Sequence, residues 1–177
     1  DWIAAWGQVT ERSFERMTAK PDWGIESITC YDGRDHLVEI NKKITGAFGD
    51  LIHFNVLGRE PAPRKILLVA PMSGHYSTLL RSTVNSLIID SEIYVTDWHN
   101  ARDIPVSEGS FDIEDYTKYL IDYIRFLGPD INVIAICQPA PLALLATAFL
   151  AQEKKDDQPK SLILMGGPID PSAAPTK

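Results

Sequence analysis

Apolar and polar positions follow two different rhythms along this chain. Near the start, Trp2, Trp6, Val9, Phe14 and Met17 recur every three to four residues, the spacing of an amphipathic helix, and Pro21, Asp22 and Gly24 end it. From Ser27 to Val56 short alternations such as Leu37-Val38-Glu39-Ile40 and Leu51-Ile52-His53-Phe54-Asn55-Val56 predict a small antiparallel section, with a turn at Asp32-Gly33. The segment from Arg59 to Arg64 reads as an exposed connector. From Lys65 onward the rhythm changes. Ile66-Leu67-Leu68-Val69-Ala70 is an unbroken apolar run, as a parallel strand buried on both faces requires.

The same rhythm continues to the end of the chain. Leu79, Leu80, Val84, Leu87 and Ile88 fit a helix, and Glu92 to Thr96 a strand closed by Asp97-Trp98. A long loop follows. Asp112 is placed to cap a helix whose apolar face is Ile113, Tyr116, Leu120, Ile121, Ile124 and Leu127, and Gly128-Pro129 stops it. Asn132 to Ile136 is a further buried strand, Ala140 to Leu150 a helix, and Ser161 to Met165 a last strand. The charged run from Glu153 to Asp157 between them reads as a solvated face or loop. Strands alternating with helices of this length predict βαβ units in a doubly wound, mostly parallel α/β sheet. Pro171 to Lys177 follows the last strand directly, with no helix to cover it, so the sheet is expected to be incomplete at its C-terminal side.

Composition narrows the function classes. The 177 residues are 45% apolar and 23% charged, an ordinary globular balance for one domain or a large part of one. A net charge of −7 argues against nucleic acid, whose phosphates call for clustered Lys and Arg. No apolar run reaches the roughly 20 residues of a membrane-spanning helix. The first residue is Asp1 rather than Met, which leaves open a segment removed before it. Cys30 and Cys137 sit in contexts too different for a disulfide framework, so a reducing cytoplasm is the expected compartment.

In an open α/β sheet, ligands bind at the carboxyl ends of the strands. Three such ends carry candidate chemistry: Pro71 to His75, Asp97 to His99, and Cys137-Gln138-Pro139. The last is the sharpest. A buried strand runs through Ala135 and Ile136 into Cys137 and then straight into an apolar helix, the strand–turn–helix context of a nucleophile elbow with sulfur in place of serine. Such a turn needs small residues two places before and after the nucleophile. Ala135 complies, whereas Pro139 departs from the usual Gly but suits the first turn of a helix. Peptide N–H groups at that helix start would favour a thiolate. The competing reading of Cys137 is a small core residue at a strand end, and Cys30, lying in a strand with no such context, reads as structural.

Acyl transfer also needs an oxyanion hole. Its backbone donors are expected at Gln138, directly after the nucleophile, and at Met72 or Ser73 in the loop after the earlier strand, where Gly74 would let the backbone bend inward. The base is harder to find. His36 and His53 read as plain surface or strand positions, His99 as a loop residue, and His75 precedes the nucleophile in the chain. The α/β-hydrolase order is nucleophile, acid, histidine, and no histidine follows Cys137. Asp170 could serve as the acid, but an aspartate before Pro171 more often shapes a turn. The histidine and its acid are therefore expected beyond Lys177.

Four separated motifs, in order, carry a family resemblance. They are Leu67 to Arg81 (with Ala70-Pro71-Met72-Ser73-Gly74-His75-Tyr76-Ser77), Val95-Thr96-Asp97-Trp98 with Ala101-Arg102-Asp103-Ile104-Pro105, Ile134-Ala135-Ile136-Cys137-Gln138-Pro139, and Leu164-Met165-Gly166-Gly167-Pro168-Ile169-Asp170. With the opening Lys20-Pro21-Asp22-Trp23-Gly24-Ile25, this pattern resembles the intracellular poly(3-hydroxybutyrate) depolymerases. The resemblance implies an α/β-hydrolase that cleaves stored polyester through a Cys-His-Asp triad, with the nucleophile at Cys137. It implies no metal or organic cofactor, a polymer granule surface as partner, and a granule-associated cytoplasmic location. Residues 1–26 would then be an N-terminal helix and connector. Residues 27–177 would be the N-terminal part of one α/β-hydrolase domain, completed by a C-terminal remainder of the same protein.

Two other readings compete. A polyhydroxyalkanoate synthase-like acyltransferase also uses an elbow cysteine, but carries glycines on both sides of it, which Gln138-Pro139 does not match. A non-catalytic domain that binds polymer or granules would need neither acid nor base. Release of 3-hydroxybutyrate from amorphous polymer separates the first from a depolymerase.

Overall fold

The computed structural model describes Gly7 and residues 19–60, 62–72, 76–153, 155–170 and 172–173. Apart from Gly7, the helix expected from Trp2 to Met17 falls outside those residues. Three strands open the chain: β1 (Ser27–Thr29), β2 (Asp35–Thr45) and β3 (Gly49–Val56). They pair antiparallel in sequence, and β2 carries an irregularity between Lys42 and Ile44. Gly33 takes a φ of 72°, which lets the tight turn between β1 and β2 close with its N–H on the Cys30 carbonyl. Cys30, expected inside a strand, instead follows β1 and opens that turn; it is buried, and both thiols of the chain are free.

The βα portion then alternates β4 (Arg64–Val69), α1 (Arg81–Leu87), β5 (Ser91–Trp98), α2 (Ile113–Leu127), β6 (Ile131–Ile136), α3 (Ala140–Glu153) and β7 (Ser161–Met165). Short 3₁₀ turns at Ser77–Leu80, Ala101–Asp103, Val106–Glu108 and Lys155–Asp157 fill the connections. All seven strands join one sheet in the order β1-β2-β3-β5-β4-β6-β7, with β4, β5, β6 and β7 mutually parallel and β3 antiparallel to β5. This is the α/β, doubly wound, mostly parallel sheet with an antiparallel N-terminal section that the pattern predicts. After β4 the chain adds β5 on one side, then crosses back over to add β6 and β7 on the other. The strand order therefore reverses between β4 and β6, a topological switch point.

Alternate residues of each central strand serve opposite faces. Leu67, Val69, Val133 and Ala135 face α2 and α3, meeting Leu120, Ile124, Ala143 and Leu150. Ile66, Leu68, Ala70 and Ile134 face the other way, toward Val84 and Ile88 at α1 and toward Trp23 and Ile25. Trp23 stands edge-on to Phe54, with ring centroids 4.9 Å apart, so residues 23 and 25 belong to the same core as the sheet. Helix α2 starts as its sequence directs: the Asp112 carboxylate accepts from the N–H groups of Glu114 and Asp115, and the Asp115 side chain accepts from Asp112 N–H. Gly128 ends it at a φ of 84°.

Among the described residues no helix is long and apolar enough to cross a membrane. Ile163 and Met165 of the edge strand β7 are about half exposed, at 48% and 50%.

Candidate active site

The switch point brings together the ends of β4 and β6. These strands are hydrogen-bonded neighbours, with Val69 level with Ala135, so the loop leaving β4 and the turn leaving β6 emerge side by side. Cys137 is the residue on that turn. Its φ of 67° makes it the one non-glycine residue in the left-handed region among the described residues. A side chain rarely tolerates that conformation, and such strain concentrates where function fixes it. Two hydrogen bonds hold the turn: Cys137 N–H donates to Met165 O at the end of β7 (2.7 Å), and its own carbonyl accepts from Ala140 N–H at the start of α3 (3.1 Å). The thiol-bearing residue is thereby lifted out of the sheet and is exposed. Ala135 and Ala140 on either side are fully buried and small, leaving the strand and helix room to approach.

Met72 lies across from this turn. The end of its strand is fixed from several sides: Ala70 N–H donates to Thr96 Oγ1 (2.9 Å), while Ala70 O accepts from Trp98 Nε1 (2.9 Å) and from the Tyr116 hydroxyl (3.2 Å). Met72 N–H donates to Oε1 of Gln138 at 3.1 Å. Of the expected oxyanion donors, Met72 and Gln138 are thus brought together, and Ser73 lies outside the described residues. The sequence gives no hint that the Gln138 side chain itself reaches the Met72 N–H.

The described histidines are all engaged away from Cys137. His36 lies on β2, between Leu57 O (2.9 Å) and Asp32 Oδ2 (3.1 Å). His53 is buried on β3, stacked on Tyr94 with centroids 4.5 Å apart and 3.1 Å from Glu92 Oε1, outside hydrogen-bond alignment. Burial pushes its basicity below that of an ordinary histidine, against the opposing pull of Glu92. His99 follows β5, two strands or about 10 Å from β6, and turns toward β3: Nδ1 is 3.0 Å from Ala47 O and Nε2 is 3.2 Å from Asp50 Oδ2. His75 lies outside the described residues. Asp170 caps its own turn through Ser172 N–H (2.9 Å) and Oγ (2.6 Å), bonds that hold its carboxyl below the usual aspartate range.

The end of β5, the Asp97 to His99 candidate of the sequence, is a second polar centre, although nothing in the sequence assigned Asp97 its partners. Asp97 is buried, accepts from Ser77 Oγ at 2.5 Å and pairs with Lys20, so it anchors the segment after the β4 loop. Beside it opens a cleft of about 630 Å³, lined among others by Lys20, Tyr76, Trp98, His99 and Arg102. A buried acid at a strand's carboxyl end was the available signal, visible in Thr96-Asp97-Trp98. Among the described residues no group of three or more His, Cys, Asp or Glu is placed to hold a metal ion.

No protein-family model matches the chain, and no curated protein matches it. Solved structures do match. An ester-hydrolase from the metagenome of Lake Arreo, complexed with a bipyridine phosphonate derivative, aligns with a TM-score of 0.57 at 13% identity, covering 96% of this chain and 54% of that one. An alpha/beta hydrolase enzyme from the same metagenome aligns at a TM-score of 0.55, with 13% identity over 96% of this chain and 54% of its own. A haloalkane dehalogenase from Bradyrhizobium elkani aligns at 0.51, with 15% identity, 73% of this chain and 42% of its own. The chain spans about half the length of the solved structures it matches, and what it shares with them is the α/β-hydrolase fold.

Proposed function

We propose that this chain carries the nucleophile of a cysteine ester hydrolase acting on poly(3-hydroxybutyrate) or a related polyhydroxyalkanoate. The observation that carries the reading is Cys137: a non-glycine residue at a φ of 67°, exposed at the switch point between parallel strands. The likeness in fold to an ester-hydrolase supports ester cleavage in general. The narrower polyester reading rests on the four motifs. The 3-hydroxybutyrate polymer, and the granule surface that displays it, would be the partners.

In the proposed reaction the Cys137 thiolate attacks the ester carbonyl carbon, forming a C–S bond as the carbonyl electron pair moves onto oxygen. Backbone N–H groups at Gln138 and Met72 would receive that charge. Collapse breaks the ester C–O bond, and the departing alkoxide takes the proton that the base removed from sulfur. A water molecule, deprotonated by the same base, then attacks the thioester carbonyl; the C–S bond breaks, the Cys137 sulfur leaves and recovers its proton from the base, and the hydroxyacid is freed. The resemblance, with its order of nucleophile, acid and histidine, is what assigns the base and its acid to positions beyond Lys177 in this reading; the described His36, His53 and His99 have their contacts elsewhere. This chemistry calls on no metal or organic cofactor.

The test is Cys137→Ala in the full-length protein. Hydrolysis of amorphous polymer and of a short 3-hydroxybutyrate oligomer should fall by about 10³-fold or more, with the melting temperature and polymer association retained. Retained hydrolysis would remove Cys137 from the mechanism. Consumption of hydroxyacyl-CoA in place of polymer cleavage would favour the synthase-like alternative, and binding without cleavage by the wild type the non-catalytic one.

A further inference from the structure

Within that reading, which it presupposes, we infer that the Gln138 side chain is a built-in occupant of the oxyanion site, displaced from the Met72 N–H when an ester carbonyl enters. The observation is the 3.1 Å hydrogen bond from Met72 N–H to Gln138 Oε1, made across the switch point between the two loops that should supply the oxyanion donors. Gln138 thus acts twice. Its main chain follows the nucleophile, and its carboxamide oxygen stands where a substrate oxygen must stand to use Met72.

This arrangement separates ground state from transition state. A neutral ester carbonyl arriving at Met72 exchanges one neutral acceptor for another and gains little, so substrate binding is weakened. An oxyanion is a charged acceptor, and charge-assisted hydrogen bonds are roughly twice as strong as neutral ones. Displacement of Gln138, nearly balanced when the neutral carbonyl enters, therefore becomes strongly favourable as the tetrahedral intermediate forms. Interactions that strengthen only at that stage are the ones that raise the rate of the chemical step. The carboxamide also holds the Met72 N–H in line when no substrate is present, so the donor need not be reorganised.

Three full-length variants test the inference. Gln138→Leu removes the acceptor at similar size, and its kcat/KM on a soluble 3-hydroxybutyrate oligomer should rise about 3–10-fold, the worth of one neutral hydrogen bond, with the gain in KM. Gln138→Glu presents a charged acceptor to the same N–H and should raise KM above wild type. A role confined to holding the β4 loop predicts the opposite: Gln138→Leu loses kcat at constant KM, and Gln138→Glu restores it. Hydrogen exchange at the Met72 amide gives a readout independent of activity, expected about tenfold faster in Gln138→Leu and slowed in Gln138→Glu. Unchanged Met72 exchange in Gln138→Leu, or a loss confined to kcat, overturns the inference alone. Full activity in the parallel Cys137→Ala control would overturn the hydrolase reading, and the inference with it.

Discussion

Gly167 packs directly against the carbonyl of Cys137: a Cβ on Gly167 would stand 2.5 Å from that oxygen and well inside contact distance of the Ala140 side chain. The turn after β7 is thus pressed onto the turn after β6, on the same side as the Met165 carbonyl that accepts the Cys137 N–H. Any side chain at position 167 would have to displace backbone, since neither neighbour is a flexible side-chain end. Gly167→Ala is expected to destabilise the fold by about 1–3 kcal/mol through overpacking and to lower ester hydrolysis by about 10²-fold through a shifted nucleophile. Thermal melts together with kcat/KM on a short-chain ester check it; a wild-type profile in both would refute the close contact.

Asp97 gives a stability prediction. Its buried carboxylate accepts the Ser77 hydroxyl and pairs with Lys20. Asp97→Ala strands a buried hydroxyl and should cost about 2–4 kcal/mol, measured by urea denaturation. Asp97→Asn keeps an acceptor for Ser77 and should cost less. Equal losses in the two variants would contradict the assigned role.

His53 gives a pH prediction. Burial is the largest influence on it and disfavours the cation, so the folded protein binds this proton less readily than the unfolded chain, whose histidines titrate near pH 6.5. Stability from this group is therefore present above about pH 6.5 and declines as pH falls toward the lowered folded value. His53→Phe preserves the stack on Tyr94 but removes the titration. Its melting temperature should drop less between pH 7.5 and 5.5 than that of the wild type; an equal drop would show that His53 is not the group responsible.

Asp112 supports the first turn of α2 through two accepted N–H bonds of 2.8 and 3.1 Å. Asp112→Ala should cost about 1 kcal/mol, read as a shifted denaturation midpoint, and Asp112→Asn should recover most of it. No shift in the alanine variant would contradict the cap.

That cap was legible in the sequence, as was much of the βα portion. A parallel strand buried on both faces is apolar along its length, so the run at residues 66–70 stood out, as did residues 133–136; the apolar run 162–165 marked β7 although that edge strand is half exposed. Nonlocal relationships were not legible. Nothing near residue 49 announces that Gly49 pairs with Trp98 across an antiparallel β3–β5 contact, because register depends on partners far along the chain. Leu79 shares the apolar rhythm of its neighbours yet is 56% exposed, since the segment begins as a 3₁₀ turn whose side chains point differently. His53 looked like a plain strand residue, but β-alternation places it under Tyr94. At the site, the exposed cysteine was readable from its strand–turn–helix context. The Gln138 contact and the fit of Gly167 depend on ångström-scale approach between separate loops, which residue type alone does not encode.

The most direct measurement is to mix full-length protein with a soluble 3-hydroxybutyrate oligomer, quench with acid within one turnover, digest, and weigh the peptide containing Cys137. The account predicts a hydroxyacyl thioester on Cys137 that is cleaved by hydroxylamine and absent from Cys137→Ala. An acyl group found on another residue, or steady hydrolysis with the Cys137 peptide never acylated, would contradict it.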